Sequence, residues 1–326
     1  MQNIERQIGS LQLVNPIFLA PMAGITSLPY RRIMKTFGAA LVHTEMVSAN
    51  GLIREGRKTR ELLETSPDES PLAIQLFGED PDVLAAAAEM VTDDGALLDI
   101  NMGCPVKKVV RSGAGSALLQ TPEQIEKILA SVRRVWKKPL TIKIRSGWDH
   151  TSINFLEVGR IAQDQGVDAI TLHPRTRAQG FAGNADWRQI RQLKEALTIP
   201  VIGSGDLYTA GDILRMLSET DCDAIMIGRG GYGNPWLIRD SLGLLQGRTF
   251  APPDRSEIYR VARYHLQLHL EHFGERKALF EMRKHLCWYA KGLDGSSHFR
   301  SRLQKTETCA GLTKLAEDYF LEQSAV

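Results

Sequence analysis

The stretch Asn101–Pro105 (Asn-Met-Gly-Cys-Pro) carries the residue of this chain best suited to chemistry, the thiol of Cys104. It follows an apolar run, Ala96–Ile100, that is typical of a buried strand. A glycine and a proline end that strand, so the thiol is expected where the chain leaves a sheet. A thiol there can face a ligand, although free cysteines are more often buried and inert. The positive charges that follow would let an anionic partner approach it: Lys107, Lys108 and Arg111.

Further polar side chains alternate along the predicted strands. Alternation places Thr141, Lys143 and Arg145 on one side of their strand and isoleucines on the other. The same pattern pairs Thr171 with His173, Ala73 with Gln75, and Asp99 with Asn101. Burying these groups without partners costs free energy, so as a set they predict a polar or anionic ligand. Any one of them can instead pair within the protein, with Asp99 or Glu45.

Two glycine-rich loops are typical of phosphate sites. Gly203–Asp206 and Gly228–Gly231 each follow a predicted strand, and backbone N–H groups in such loops bind phosphate. Arg229 adds a side chain that can hold phosphate through two hydrogen bonds. Near the start of the chain, the small residues of Ala20–Gly24 leave space for a flat ring, although alone this segment is an ordinary turn.

Short apolar runs alternate with longer amphipathic ones along the first three quarters of the chain. The predicted strands are Ile17–Ala20, Ala40–Glu45, Leu72–Phe77, Leu97–Asn101, Leu140–Arg145, Ala169–His173, Pro200–Gly203 and Ala224–Gly228. The predicted helices are Leu28–Phe37, Asn50–Leu63, Pro81–Thr92, Pro122–Val135, Asn154–Gln165, Trp187–Ala196, Ala210–Ser218 and Pro235–Leu245. Eight such units predict an α/β fold, a (β/α)8 TIM barrel whose active site lies at the carboxyl ends of the strands. A doubly wound open sheet is the alternative, and the lack of GxGxxG after the first strand disfavours it.

Length, composition and charge limit the class of protein. The chain has 326 residues, 43% of them hydrophobic, and a net charge of +2, so any nucleic-acid surface must be local. The four cysteines have no disulfide or zinc spacing, which predicts reduced thiols in the cytoplasm and no metal site. No signal peptide or membrane-spanning run is expected.

A second unit is expected after the linker-like segment 247–254. Amphipathic runs predict helices at Ser256–His272, Glu275–Lys291 and near Leu312–Glu322. From 255 to 326, twelve lysines and arginines stand against nine acidic residues. Such charges usually form a solvated face, but they also suit contact with phosphates. The expected division is a catalytic barrel at 1–247 and a small all-helical domain at 248–326.

Several motifs, in order, resemble the tRNA-dihydrouridine synthases, most closely the bacterial B type. They are Ala20–Thr26 (APMAGIT), Asn101–Pro105 (NMGCP), Lys143–Gly147 (KIRSG), His173–Arg177 (HPRTR), Ser204–Asp206, Ile227–Gly230 (IGRG) and Arg283–Tyr289 (RKHLCWY). The resemblance implies an FMN-dependent TIM barrel with a helical domain that holds tRNA. It implies that NADPH, or NADH, reduces FMN, that hydride passes to C6 of a uridine, and that the cysteine protonates C5. The product is 5,6-dihydrouridine, the proton donor is Cys104, and a monomer is expected.

The resemblance also assigns the other site residues. The expected cofactor-binding residues are Pro21, Met22, Ala23, Gln75, Lys143, His173, Ser204, Gly205, Asp206, Gly228 and Arg229. The expected substrate-binding residues are Asn101, Arg145, Arg175, Arg177, Arg283 and Lys284. The chain departs from the family pattern at Ser204, usually asparagine, and at Pro174, usually glycine. Ser204 keeps a hydroxyl, whereas Pro174 lacks the N–H that a ligand contact through this amide would need.

Two other functions compete with this one. An FMN barrel acting on a free pyrimidine, as dihydroorotate dehydrogenases do, would not need the basic helical tail. An RNA-binding protein with a vestigial barrel would not need Cys104, Lys143 and Asn101. Which uridine is reduced cannot be read from the sequence.

Overall fold

The computed structural model of the protein describes residues 7–321. Its strands are β1 Gln7–Ile8, β2 Leu11–Gln12, β3 Ile17–Leu19, β4 Val42–His43, β5 Val47–Ser48, β6 Leu72–Phe77, β7 Leu97–Met102, β8 Leu140–Arg145, β9 Ala169–His173, β10 Val201–Ser204 and β11 Ala224–Ile227. The barrel order is β3-β11-β10-β9-β8-β7-β6-β4, all paired in parallel, with β5 added beside β6. A parallel bridge between Phe18 and Leu41 joins the two ends of this sheet. The predicted (β/α)8 barrel is therefore confirmed.

Helices separate the strands and continue beyond the barrel. They are α1 Leu28–Thr36, α2 Ala49–Ile53, α3 Arg57–Arg60, α4 Pro81–Met90, α5 Lys107–Arg111, α6 Pro122–Val135, α7 Phe155–Asp164, α8 Arg188–Ala196, α9 Ala210–Thr220, α10 Trp236–Leu245, α11 Arg255–Tyr289, α12 Ser296–Lys305 and α13 Cys309–Leu321. Short 3₁₀ turns lie at Glu61–Leu63, Pro67–Glu69, Gly115–Gln120 and Arg229–Gly231. None of the helices between residues 7 and 321 is long and apolar enough to span a bilayer.

The register of the barrel strands stacks the polar residues in layers. Gln75 pairs with Asp99, and Asp99 pairs in turn with Thr141. The next layer pairs Asn101 with Lys143, and the layer above pairs Arg145 with His173. The isoleucines and leucines between them belong to the core under the helices, as the alternation predicts. The lumen of the barrel therefore becomes more polar towards the carboxyl ends of the strands.

Small and apolar residues fill the other end of the lumen. Ala73, Ala169 and Met226 pack there in one buried cluster with Ile8 of the β1–β2 hairpin. The antiparallel hairpin, which the sequence did not predict, therefore covers the amino ends of the barrel strands. Within residues 7–321 this end is filled, and the opening of the lumen lies at the carboxyl ends of the strands.

The predicted helix boundaries are partly wrong. The predicted helix 50–63 is three short pieces, because Glu55 adopts a left-handed conformation with φ 53° after α2. Helix α4 is capped at its start, since Asp80 Oδ1 accepts the N–H groups of Asp82 and Val83 at 2.9 Å. Thr121 does not cap α6, because its hydroxyl bonds the carbonyl of Leu118 instead.

The tail forms a helical unit with its own core. Helix α11 covers both predicted runs except Ala290 and Lys291, and it breaks at Gly274, where φ is 73° and ψ is 173°. Helix α12 was not predicted, and Glu322, the end of the third predicted helix, lies outside the described residues. Residues 246–254 contain no helix or strand, which is consistent with the expected linker. The division at 247 remains a proposal, because Trp236 of α10 packs in the core of the tail.

Candidate active site

A cavity of about 300 Å³ opens at the carboxyl ends of the barrel strands. Thirteen of the residues expected from the sequence line it: Pro21, Met22, Ala23, Asn101, Cys104, Lys143, Arg145, His173, Ser204, Gly205, Asp206, Gly228 and Arg229. Five expected residues do not line it: Gln75, Arg175, Arg177, Arg283 and Lys284. The barrel thus brings one thiol, several cations and two glycine-rich loops to a single opening.

The loop after β7 holds Cys104 through its backbone. Asn101 Oδ1 accepts the N–H groups of Gly103 and Cys104 at 3.2 and 2.9 Å. The carbonyl of Cys104 accepts the N–H and the hydroxyl of Ser116 at 3.1 and 2.9 Å. The thiol is half-buried at the cavity, and burial raises its pKa above the ordinary value. At neutral pH this group is therefore a proton donor rather than a thiolate.

A buried network below the cavity orients Asn101. Asp99 accepts hydrogen bonds from Gln75 Nε2 and from the Thr141 hydroxyl, both at 2.6 Å. Gln75 Oε1 then accepts Asn101 Nδ2 at 2.9 Å. Gln75 is fully buried, with its amide occupied on both sides. The geometry therefore makes Gln75 a support for Asn101, and its expected contact with the cofactor stays a prediction.

Lys143 presents an ammonium group to the cavity. Its side chain is half-buried, and it forms no hydrogen bond within residues 7–321. Burial, and then the neighbouring charge of Arg145, lower its pKa to about 8. Lys143 lines the cavity, so a negatively charged ligand group there would be its natural partner.

Arg145 fixes the loops around the thiol. Its Nε donates to the carbonyl of Gly103 at 2.9 Å, and its Nη1 donates to the carbonyls of Thr176 and Gly180 at 3.0 and 2.8 Å. Burial, and then the charge of Arg175, lower its pKa to about 10, so it remains a cation at neutral pH. Arg145 therefore connects the Cys104 loop to the loop after β9, and it still borders the cavity.

His173, Arg175 and Asp206 form a second buried group. Arg175 donates to Asp206 at 2.7 Å and to the carbonyls of Ala182 and Gly183 at 3.2 and 2.7 Å. Its Nη1 lies 3.2 Å from His173 Nε2, which must accept because a guanidinium only donates. Burial holds the pKa of His173 well below its ordinary value, so the ring is neutral with its proton on Nδ1. Arg175 is 2% exposed, and its expected contact with substrate stays a prediction.

Aromatic side chains that the sequence analysis missed border the same opening. Phe181, 53% exposed, lies 4.2 Å from the guanidinium carbon of Arg229 and 5.5 Å from that of Arg145. Tyr208 and Tyr232 also line the cavity. A large aromatic residue inside the polar, glycine-rich segment 178–184 was the signal that could have found Phe181. Stacked cations and rings suit a planar ligand.

The expected RNA-binding residues outside the cavity have partners within the protein. Arg283 Nη2 donates to the carbonyl of Thr306 at 2.6 Å, and Lys284 donates to the carbonyl of Gly24. Arg177 lies over the ring of Trp148 at 4.3 Å. Pro174 has no N–H, and its carbonyl accepts the N–H of Asp186 at 3.0 Å. RNA contact by the three basic residues remains a prediction.

Solved structures of other proteins share the fold. A 2-naphthoyl-CoA reductase complex has a TM-score of 0.57 at 12% identity, covering 74% of this chain and 51% of that one. A 6-hydroxypseudooxynicotine amine oxidase from Pseudomonas geniculata has a TM-score of 0.58 at 12% identity, covering 74% and 49%. At such low identity these similarities concern the fold alone.

Two bacterial proteins are similar in sequence to this chain along nearly its whole length. The tRNA-dihydrouridine synthase B of Pasteurella multocida is 43% identical over 296 residues, 90% of this chain and 89% of the relative. The protein of the same name from Xanthomonas axonopodis is 38% identical over 316 residues, 96% and 95% of the two chains. A family model described as dihydrouridine synthase matches residues 18–324. The expected resemblance and the prediction of an enzyme are thus confirmed: this chain belongs to the dihydrouridine synthase family.

Proposed function

We propose that this protein reduces uridines in tRNA to 5,6-dihydrouridine, with FMN as its cofactor and NADPH or NADH as the reductant. The observation that carries the proposal is the single cavity lined by Cys104, Lys143 and both glycine-rich loops. The names of its relatives support the choice of tRNA and of this reaction. The proposal places the enzyme in the cytoplasm, where tRNA is available, and takes it to be a monomer.

The residues around the cavity fit a flavin mononucleotide. A volume of about 300 Å³ is at the lower end of the range of about 300–1,000 Å³ for small-molecule pockets, and the mouth is open. A side-chain carbon at Gly228 would have its nearest described neighbours, on Ala20 and Met22, at 3.9 Å, so the backbone there is open to a ligand. Arg229 supplies a cation for the phosphate, while Arg175 neutralises the neighbouring carboxylate of Asp206.

Bound flavin would supply hydride chemistry, and the protein would supply charge, orientation and a proton. Lys143 would hold its ammonium against the flavin ring edge, where negative charge accumulates on reduction. The backbone of Pro21–Ala23 would form one wall for the flat ring. His173, being neutral, adds no further charge to a region that already contains Arg145, Arg175 and Arg229.

Cys104 would donate the proton to C5 of the uridine. Its raised pKa keeps the thiol protonated, which general acid catalysis requires. The backbone N–H of Cys104 donates to Asn101, and its carbonyl accepts from Ser116, so these bonds hold the thiol at the cavity. Asn101 therefore acts in this proposal as a positioning residue for the acid, and it can contact uracil only through groups these bonds leave free.

The base must leave its stack to reach a cavity inside a barrel, so a flexible region of tRNA is the expected target. Arg145 lines the cavity and suits contact with the entering nucleotide. The exposed lysines of α5, next to the Cys104 loop, and basic residues of the tail are proposed to bind phosphates.

The proposal is tested with purified protein, FMN, NADPH and an unmodified tRNA transcript under anaerobic conditions. Nucleoside mass spectrometry should show uridine gaining two hydrogens at defined positions. Free uridine, uridine monophosphate and orotate should reoxidise the reduced flavin far more slowly than tRNA. Equal reoxidation by free pyrimidines and tRNA, or no dihydrouridine in the transcript, would refute the proposed function. NADH in place of NADPH measures the preference for the reductant.

A further inference from the structure

Three histidines meet inside the helical tail, away from the cavity. His265 and His269 are one turn apart on the first part of α11, so they share a face of that helix. The break at Gly274 redirects the second part, which brings His285 to the same place. One ring nitrogen from each histidine lies within 4.8 Å of those of the other two. The three residues are 0%, 0% and 1% exposed.

All three rings have an unused nitrogen. The Nε2 atoms of His265, His269 and His285 are buried without a hydrogen-bond partner among residues 7–321. A buried polar atom without a partner is costly, and native proteins rarely leave three together. An imidazole nitrogen with a free lone pair is the atom that binds a metal ion.

A carboxylate lies beside His269. The Nδ1 of this ring lies 3.1 Å from the carbonyl of His265, so it must donate. Its Nε2 lies 3.5 Å from a carboxylate oxygen of Glu281. Either a proton on Nε2 or a metal ion bound to both atoms satisfies this contact. Ligands at about 2.0–2.1 Å from a tetrahedral zinc ion lie about 3.4 Å apart, so histidine nitrogens within 4.8 Å of one another need only a small closure to bind it.

The groups around the cluster resemble the outer shell of a metal site. Tyr289 places its hydroxyl 3.2 Å from His265 Nδ1, and the His265 carbonyl holds His269 Nδ1. Such bonds fix the ring orientation and leave Nε2 for the metal. Tyr30 of α1 lies beside the rings of His265 and His285, at 5.8 and 5.5 Å. The cluster is therefore at the junction of the barrel and the tail.

We propose that His265, His269 and His285 bind one divalent transition-metal ion, with zinc as the best match. Three imidazoles are a ligand set of zinc, and Glu281 beside His269, or a water molecule, would supply the fourth ligand. The expectation of no metal came from the spacing of the cysteines, none of which belongs to this cluster. The ion would join both parts of α11 next to Trp288, whose ring stacks at 4.3 Å on Tyr232 of the cavity wall.

The first test measures metal in the protein without using its activity. Untagged protein, purified without chelators and dialysed against a low concentration of zinc, should contain about one zinc ion per chain by mass spectrometry of the metal. X-ray absorption at the zinc edge should show nitrogen and oxygen ligands near about 2.0 Å with imidazole scattering and no sulfur. Sulfur ligands, or no zinc after dialysis, would overturn the proposal and leave an imidazolium–carboxylate pair between His269 and Glu281.

Variants test whether these residues are the ligands. The double variant His269→Asn, His285→Asn should bind zinc at least about tenfold more weakly. His298 is an exposed histidine of α12, so His298→Asn should bind zinc as the wild-type protein does. A strong chelator should lower the melting temperature of the wild-type protein and of His298→Asn, but not that of the double variant. Zinc retained in a folded double variant would overturn the assignment. If that variant does not fold, the absorption spectrum of the wild-type protein decides.

Discussion

The side-chain oxygen of Asn101 lies 2.9 Å from the backbone nitrogen of Cys104 and accepts its hydrogen. A residue expected to contact uracil therefore holds the proposed acid in position. The same amide is anchored from below by Gln75, which is itself held by Asp99. The position of the thiol thus depends on a hydrogen-bonded column through the lumen of the barrel.

We expect Asn101→Ala to loosen the Cys104 loop. The thiol should react faster with an alkylating agent, because two backbone N–H groups lose their acceptor. Reoxidation of reduced flavin by tRNA should slow, while flavin reduction by NADPH should not change. Asn101→Asp keeps the acceptor and should alter alkylation less. Unchanged alkylation together with slow reoxidation would instead favour a direct uracil contact.

Cys104→Ala should separate the two half-reactions. Flavin content and reduction by NADPH should remain, since neither needs the thiol. Single-turnover reoxidation by tRNA without oxygen should fall by about 10²–10⁴-fold, the usual effect of losing a general acid. Cys287→Ala, a half-buried cysteine of the tail, is the matched control and should reoxidise normally. A wild-type rate in Cys104→Ala would exclude this thiol as the acid.

Lys143 should make flavin affinity depend on pH. Below a pKa of about 8 its amine is charged and can attract the flavin, and above that value the charge is lost. Affinity for FMN, measured by fluorescence titration, should therefore be constant at lower pH and fall as the pH rises through about 8. Lys143→Gln should bind FMN more weakly and show no fall in affinity near this pH. Lys143→Arg should bind FMN without the fall, because arginine stays charged. The same fall in Lys143→Gln would assign the pH dependence to another group.

The lysines of α5 should bind RNA phosphates. Lys107 and Lys108 are exposed beside the Cys104 loop, and they are better targets than Arg283 and Lys284, which have partners in the fold. Lys107→Glu with Lys108→Glu should weaken tRNA binding and lower its salt slope by about 0.7–0.9 per lost contact. Exchanging Lys127 and Lys137 of the α6 region for glutamate is the control at equal charge. An equal loss in both variants would indicate a non-specific charge effect.

Gly233→Ala should destabilise the junction of barrel and tail. A side-chain carbon there would lie 2.3 Å from the backbone of Trp288, and φ is 62°. Gly247 also has a positive φ of 73°, but no described atom lies within 4 Å of such a carbon. Gly247→Ala should therefore cost only the backbone strain, about 1–2 kcal/mol, and Gly233→Ala clearly more. Equal melting temperatures would show that the junction can adjust.

The barrel could be predicted from the sequence because each parallel strand is a short apolar run before an amphipathic helix. The alternation along β8 correctly separated Lys143 and Arg145 from the isoleucines, since strand geometry has a fixed period. The break in the predicted helix 50–63 could not be read, because it depends on one residue, Glu55, adopting a rare conformation. Helix α12 escaped because its pattern is weakly apolar, and its few buried residues are fixed by tail packing.

The residues that line the site could be predicted from their types and positions, whereas the partners of their side chains could not. Glycine-rich loops and Cys104 follow strand ends, which the topology alone brings together. The buried ion pair of Arg175 could not be read from the sequence, because its acidic partner, Asp206, lies 31 residues away. The cluster of tail histidines could not be predicted, since nothing in their spacing shows that a break in α11 turns His285 towards His265 and His269.

The contact of Gly233 with Trp288 limits how this architecture can be recombined. Chain backbones of the two halves touch there, and Tyr232 stacks on Trp288 beside it. A chimera that joins this barrel to the tail of a relative must therefore inherit Tyr232, Gly233 and Trp288 as a unit, whatever sequence links the halves.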